Sequence, residues 1–244
     1  MRFLLEDASA GDLRCLKRNM SNYSSKPYTD SDPHFFSDLL SFREAWDTRY
    51  RVRGRQWGNA PVEFAEISSF GVVLELGVGD GKNIRARHMS GSYTIGLDFS
   101  LEALRLCRFD PTLCDCDFIA ADGCILPIRD NSVNLVFAHH ILGHIPACNL
   151  SSLIHEVHRV LALEGRFFVT VFAKGDMRDG SGYEVEPSAY VRGDGIMTRY
   201  FQIDEMKRLF NKFFISDIRQ EEWQMKIRGR NYPRMIITTE LIKT

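Results

Sequence analysis

Several features that mark specialised protein classes are missing from this sequence of 244 residues. No apolar run approaches the roughly 18 residues of a membrane-spanning helix, and the start, MRFLLEDASAGD, turns acidic too early for a secretory signal. We find no internal repeat or low-complexity tract. An excess of one charge is lacking too, since 31 basic and 32 acidic residues give a net charge of −1. No protein-wide field therefore favours nucleic acid or an anionic membrane.

The cysteines do not form the dense, evenly spaced framework of a small secreted domain. There are six, at positions 15, 107, 114, 116, 124 and 148. Only one residue separates Cys114 from Cys116, whereas zinc ligands are usually about two to four residues apart, so we predict no metal site. Free thiols are typical of a reducing compartment, and we expect a cytoplasmic protein.

The composition, 44% hydrophobic and 26% charged, is that of an ordinary globular protein. The length predicts one large domain with a cap. We assign residues 1–60 to an N-terminal arm and helical lid, and residues 61–244 to the main domain. Apolar residues recur on one helical face over 36–50, and Pro61 opens a second short helix over 61–69.

From residue 72 onward, β-rich runs alternate with helical patterns. We predict strands at 72–76, 93–98, 117–122, 132–139 and 166–173, and helices at 81–90, 100–108 and 149–163, the last ended by Gly165. This alternation predicts parallel strands with right-handed crossovers and helices on both faces. The fold class is therefore α/β: a Rossmann-like, doubly wound sheet of seven strands, mostly parallel.

The tail departs from this alternation. After a helix near 203–211, two strand-like runs, 213–223 and 233–244, follow without a helix between them. They predict an antiparallel hairpin at the C-terminal edge of the sheet, because parallel neighbours need a long crossover. Residues 174–200, rich in glycine and charge, are too long for an ordinary connector, and we interpret them as an insertion that is part of a lid.

The most informative segment is VVLELGVGDGKN, a buried strand that runs into three alternating glycines and a helix. Gly77, Gly79 and Gly81 allow the backbone to approach a ligand closely, because glycine has no Cβ and accepts positive φ. In open parallel sheets, ligands bind at the carboxyl ends of strands where the strand order reverses. A tight turn without a ligand is the alternative.

Acidic residues at three strand ends favour the ligand. Glu75 ends the first strand, and the glycine spacing differs from that of a dinucleotide site, so an aminoacyl group with an ammonium fits better than a pyrophosphate. Asp98 follows the second strand, where a carboxylate can accept hydrogen bonds from both ribose hydroxyls. Asp122, followed by Gly123, closes the third strand, positioned for a nucleobase edge.

These residues resemble the class I S-adenosylmethionine-dependent methyltransferases, specifically the type 11 group, over about residues 70–173. The resemblance includes Leu126-Pro127 with Asp130–Val136, and the run His155–Arg166. It implies that the acid and the glycines of the loop, with Asn83, hold the methionine part of the cofactor. It implies that Asp98 holds the ribose with Phe99 beside the adenine, and that Asp122 and Gly123 contact the adenine.

The expected acceptor region is Phe137–His144, which follows the fourth strand and contains three of the seven histidines. By resemblance, His139 packs on the methionine part of the cofactor. His140 or His144 is the candidate general base or orienting group of the catalytic site. Each histidine has a structural alternative, a ring hydrogen-bonded inside a loop or at a helix start.

The N-terminal segment carries four arginines without an intervening acid, at positions 49, 51, 53 and 55. They predict binding of the cofactor carboxylate, an acidic acceptor or a phosphate, or else a solvated face. Similar passages occur in methyltransferases whose N-terminal segment covers the cofactor. We therefore expect Tyr50 through Trp57 to form a lid, with Arg53 and Trp57 in the cofactor site.

The predicted reaction is in-line transfer of a sulfonium methyl from S-adenosylmethionine to an N, O or S nucleophile, leaving S-adenosylhomocysteine. A small-molecule acceptor is our first choice. RNA or protein is the alternative, because Arg228-Gly-Arg230 lies near Lys226 and Tyr232, and Arg199-Tyr200-Phe201 faintly resembles tRNA wobble-uridine methyltransferases. A nicotinamide-dependent oxidoreductase and a binding module without turnover are the other hypotheses.

Overall fold

The computed structural model describes residues 34–55, 71–86 and 92–244. The predicted helix at 61–69 and the predicted site residue Trp57 lie outside these ranges. Residues 39–244 form one compact unit, and the predicted domain boundary between residues 60 and 61 stays a prediction.

Ten strands and five α-helices make up the described fold. The strands are β1 (Val72–Leu76), β2 (Tyr93–Asp98), β3 (Cys116–Ala120), β4 (Val133–His139), β5 (Leu161–Phe172), β6 (Tyr183–Glu186), β7 (Ala189–Val191), β8 (Met197–Arg199), β9 (Phe214–Ile227) and β10 (Arg230–Ile242). The helices are α1 (His34–Arg53), α2 (Lys82–Ala86), α3 (Leu101–Arg108), α4 (Ala147–Val160) and α5 (Ile203–Leu209).

The main sheet confirms the predicted fold class. Its seven strands have the order β3-β2-β1-β4-β5-β10-β9. Strands β1 to β5 are parallel to one another, and β10 is antiparallel to both β5 and β9. The order reverses between β1 and β4, which places the ligand-binding crevice of such folds at the carboxyl ends of these two strands.

The central strands are apolar on both faces, as strands covered by helices on both sides require. In β1, Leu74 and Leu76 belong to the largest buried cluster, whereas Val73 packs in a separate cluster on the opposite side. Helices α4 and α5 contribute to the largest cluster, and α2 and α3 to a third one around Val78. Tightly packed strands of this kind give a rigid support for the loops at their carboxyl ends.

The predicted end of the helix at 149–163 is wrong. Helix α4 stops at Val160 and β5 begins at Leu161, whereas the sequence pattern extends the helix to residue 163 and uses Gly165 as its cap. Residues 161–165 instead hydrogen-bond with other strands: Leu161 pairs with Val133, and the amide of Lys243 donates to the carbonyl of Gly165 at 3.0 Å. Tertiary pairing therefore overrides the helical periodicity.

The insertion at 174–200 is ordered into a small antiparallel sheet, in which β7 lies between β6 and β8. The C-terminal hairpin is confirmed and is longer than predicted. Since Ile236 of β10 pairs with Phe172, the last residue of β5, residues 230–235 continue beyond the carboxyl end of β5. Among the described helices, none combines the length and hydropathy needed to cross a membrane.

Candidate active site

The glycine loop after β1 is tightly surrounded. Gly77, Gly79 and Gly81 have φ values of 65°, 57° and 81°. A Cβ on Gly79 would lie 2.7 Å from the hydroxyl oxygen of Tyr50, and one on Gly77 would lie 2.8 Å from Cδ1 of Ile141. Side chains from α1 and from the segment after β4 therefore come directly against this loop, and only glycine fits there.

Asp98, at the end of β2, holds the glycine loop in place. One of its carboxylate oxygens accepts the N–H of Gly79 at 2.9 Å, and the other accepts the N–H of Ser100 at 2.9 Å. Burial raises the pKa of Asp98 to about 6, although these two hydrogen bonds oppose the shift. Each oxygen keeps a second lone pair, so the carboxylate can still accept hydrogen bonds from a ligand.

Glu75 and Asn83 lie on opposite sides of the glycine loop and meet each other. Glu75 is 1% exposed, and its Oε1 accepts a hydrogen bond from the amide nitrogen of Asn83 at 3.2 Å. The neighbouring carboxylate of Asp80 has a structural contact, because it accepts the N–H of Lys82 at 3.1 Å at the start of α2. A buried carboxylate at the end of β1 is suited to hold an ammonium group.

Asp122 and Phe99 are more open. The carboxylate of Asp122 is exposed and accepts the N–H of Cys124 at 2.9 Å, while Phe99 is 36% exposed. Gly123 is buried, and a Cβ there would lie 3.0 Å from Cδ1 of Leu153. An exposed carboxylate beside an accessible aromatic ring can receive the edge and the face of a purine.

Together, these residues fit the predicted cofactor. Since β1, β2 and β3 are adjacent parallel strands, Glu75, Asp98 and Asp122 follow one another along a single edge of the sheet. The closely surrounded glycines lie between the first two acids. The described part of the predicted site therefore offers separate acidic acceptors for an amino acid, a sugar and a base, in that order.

Helix α1 packs across this edge, a contact that sequence patterns do not specify. Tyr50 is buried next to Gly79. The carboxylate of Asp47 accepts hydrogen bonds from the hydroxyl of Ser100 at 2.6 Å and from the N–H of Glu102 at 3.2 Å, which joins α1 to the start of α3. Arg53, by contrast, is exposed on the last turn of α1, and its contact with the cofactor stays a prediction.

His139 is buried at the end of β4. Its Nδ1 lies 3.3 Å from the hydroxyl of Thr170 on β5, and its ring stacks with Phe137 at 6.2 Å. Because Ala138 pairs with Leu76, the histidine lies beside the start of the glycine loop. Its predicted contact with the methionine part of the cofactor agrees with this location and stays a prediction.

His140 has a left-handed backbone, with φ of 61°, and its ring stacks on Phe172 with centroids 4.1 Å apart. Its Nδ1 is buried and has no hydrogen-bond partner in the part of the chain that the structure describes. Burial lowers the pKa of His140 to about 3, and the nearby charges of Arg234 and Lys82 act in the same direction. The ring is therefore neutral at physiological pH and is a weak proton acceptor.

His144 is fixed to the small sheet. Its Nδ1–H donates to the carbonyl of Met197 at 2.6 Å, and its ring meets Trp46 edge to face at 5.0 Å. Burial lowers the pKa of His144 to about 4, against the effect of that hydrogen bond. A general-base role for either histidine stays a prediction, and the low pKa values favour the alternative of an orienting group.

A charged and aromatic group at the end of β5 is missed by the sequence patterns. Arg234 is buried and donates to the carboxylate of Asp176 at 2.7 Å. Its guanidinium lies 4.9 Å from the ring centroid of Phe172 and 6.0 Å from that of Trp223. No sequence signal links these residues, which come from three separate segments.

Comparison with known proteins gives this site its context. Residues 74–169 match the family model described as a methyltransferase domain. Among curated proteins, a Drosophila melanogaster tRNA N(3)-methylcytidine methyltransferase Mettl2 is 25% identical over 219 residues, which cover 78% of this chain and 66% of the relative. The tRNA N(3)-cytidine methyltransferase METTL2 of Danio rerio is 26% identical, covering 61% of this chain and 46% of its own.

Solved structures support the same fold. An S-adenosylmethionine-dependent methyltransferase from Anabaena variabilis has a TM-score of 0.63 at 16% identity, covering 91% of this chain and 99% of its own. One from Methanosarcina mazei has a TM-score of 0.57 at 20% identity, covering 71% and 93%. Residues 74–169 thus match a methyltransferase domain, and the chain has the class I fold of solved enzymes whose cofactor is S-adenosylmethionine.

Proposed function

We propose that this protein methylates a cytidine base in tRNA. The observation that carries the proposal is the similarity to the tRNA N(3)-methylcytidine methyltransferase of Drosophila, because it covers 78% of this chain and so extends well beyond residues 74–169. The chain spans 66% of that relative's length and about half of the Danio rerio protein. Our sequence-based preference for a small-molecule acceptor has no comparable support.

The chemistry of the two histidines, His140 and His144, supports an acceptor of this kind. When bound, S-adenosylmethionine supplies an electrophilic methyl group on a sulfonium. The N3 atom of cytosine has a free lone pair and no proton, so it needs no general base. Neutral His140 and His144, with pKa values of about 3 and 4, suit such a nucleophile better than one that must first lose a proton.

The residues of the chain then act mainly by positioning. Glu75 holds the ammonium group, Asp98 accepts hydrogen bonds from the ribose hydroxyls, and Asp122 accepts one from the adenine amino group. Tyr50 covers the glycine loop and excludes water from it. Holding two reactants in line is worth about 7–11 kcal/mol in well-oriented systems, which can account for most of the required acceleration.

The test is direct identification of the product. The full chain is incubated with total tRNA and S-adenosylmethionine labelled in the methyl group, and the digested nucleosides are analysed by mass spectrometry. We expect label in 3-methylcytidine, and none with the Asp98→Ala variant. Label in another nucleoside, or release of S-adenosylhomocysteine only with small molecules, would refute the proposal.

A further inference from the structure

Two arginines of the segment 174–200 form no salt bridge among the described residues. Arg178 lies in the turn after β5 and Arg192 follows β7, and both side chains are half-buried. The Nε of Arg192 is buried, and within the described ranges no group accepts a hydrogen bond from it. Buried polar groups are nearly always paired, so an unpaired guanidinium nitrogen of this kind calls for an explanation.

The nearby carboxylates already have partners. Asp176 accepts a hydrogen bond from Arg234 at 2.7 Å, and Asp194 accepts one from Arg49 at 2.8 Å. Asp179 accepts the N–H of Gly175 at 3.0 Å. Four guanidiniums therefore share this region with three carboxylates, two of which are already paired to arginines, which leaves an excess of one positive charge.

Arg192 lies near His144, one of the two candidate catalytic histidines. Strand β8 holds His144 through the carbonyl of Met197, and the turn from Arg192 to Gly195 joins β7 to that strand. The Cγ of Arg192 lies 3.0 Å from the position of a Cβ on Gly182, so its side chain returns toward the segment that carries Arg178. Arg192 also lies close enough to lower the pKa of His144.

Electrostatics give the two arginines a common preference. Burial lowers the pKa of Arg178 below its ordinary value, and the positive charges of Arg192 and Arg234 lower it further, although the carboxylate of Asp176 opposes the shift. Like charges held together in a partly buried place are costly until an anion neutralises them. Planar guanidiniums bind phosphate oxygens through paired, charge-assisted hydrogen bonds.

We propose that Arg178 and Arg192 bind a phosphate group of the nucleotide whose base is methylated. This identity of the anion rests on the proposed function, whereas the anion site itself does not. The site fixes the backbone next to the reacting base and so holds its ring nitrogen toward the methyl group. In RNA the anion is a phosphodiester, and a nucleoside monophosphate is its smallest analogue.

The test compares cytidine with cytidine 5′-monophosphate and cytidine 3′-monophosphate, titrated into the full chain saturated with S-adenosylhomocysteine. We expect at least one monophosphate to bind about tenfold more tightly than cytidine, the gain of one charge-assisted contact. Arg178→Gln/Arg192→Gln should abolish this preference and leave S-adenosylhomocysteine affinity within twofold. Equal binding of all three ligands by the native protein would overturn the proposal, as would a preference that survives in the double variant.

Control variants keep these outcomes interpretable. Arg219→Gln removes an exposed arginine of β9 that pairs with acidic neighbours, and it should retain the full preference. If the double variant loses thermal stability, Arg192→Lys keeps the charge without the guanidinium fork and should lose only part of the preference. The two proposals also fail separately. If the protein prefers the monophosphate but does not methylate tRNA, the anion site stands and the proposed function fails. If it methylates tRNA but does not prefer the monophosphate, the proposed function stands and the anion site fails.

Discussion

The cofactor end and the acceptor end of this site are built in different ways. At the cofactor end, Glu75, Asp98 and Asp122 follow three adjacent parallel strands, and the carboxylate of Asp98 holds the glycine loop. At the acceptor end, the contacts join distant segments: His144 with Met197, 53 residues apart, and Arg49 with Asp194, 145 residues apart. The two ends should therefore respond independently to mutation.

The largest effect is expected from Gly79→Ala. The new Cβ would lie 2.7 Å from the Tyr50 hydroxyl at a residue whose φ is 57°, so the loop must move or strain. We expect S-adenosylhomocysteine affinity, measured by calorimetry, to fall about 100-fold, which corresponds to about 2.8 kcal/mol. Gly180→Ala is the matched control, since Gly180 has φ of 76° and no described residue other than its chain neighbours has an atom within 4 Å of a Cβ there. Equal effects of the two variants would show that close approach at Gly79 is unimportant.

A smaller effect, confined to the acceptor end, is expected from His144→Ala. Loss of the bond to Met197 frees the segment after β4 from β8, and turnover should fall about 30-fold while cofactor affinity stays within twofold. The exposed His155→Ala is the control. If native turnover has an acidic limb near pH 6.5 that His144→Ala removes, His144 is a general base and the orienting role is wrong.

The third prediction concerns pH and the cofactor end. Because burial raises the pKa of Asp98 to about 6, the folded protein holds this proton more tightly than the unfolded chain does. The stability that Asp98 contributes at low pH is therefore lost as the pH rises through 6. Ribose hydroxyls bind the ionised form, so cofactor affinity should change in the opposite direction and fall about fivefold between pH 6 and pH 5, because the ionised fraction of Asp98 falls by about that factor. Asp98→Asn should bind more weakly at every pH without this dependence. A flat native profile would place the ribose elsewhere.

The smallest effect is expected from Asp194→Asn. It removes the charge partner of Arg49, a partly buried pair at 2.8 Å between α1 and the turn after β7. We expect a loss of stability of about 1 kcal/mol in thermal unfolding and a turnover about threefold lower, with cofactor affinity unchanged. If cofactor affinity falls together with turnover, the cofactor end and the acceptor end are energetically coupled, which would contradict their independence.

The contrast also explains what could be predicted from sequence. Strand, glycine loop and acid recur within short windows, so β1, β2 and Glu75, Gly79 and Asp98 follow from local patterns. The partners of His144 and Arg234 depend on contacts between remote segments, which periodicity cannot specify. The small sheet β6–β8 is a local meander of strands of only three or four residues, too short to show a periodic pattern. The prediction that Gly165 ends a helix was wrong for a similar reason, because Gly165 hydrogen-bonds with Lys243, a residue far along the chain.

The most direct test of the cofactor site is a crystal structure of the full chain with S-adenosylhomocysteine. The account predicts the amino acid near Glu75, the ribose hydroxyls on Asp98 and the adenine near Asp122, beneath Tyr50. Density for the nucleoside away from the ends of β1, β2 and β3, or none at millimolar ligand, would contradict it.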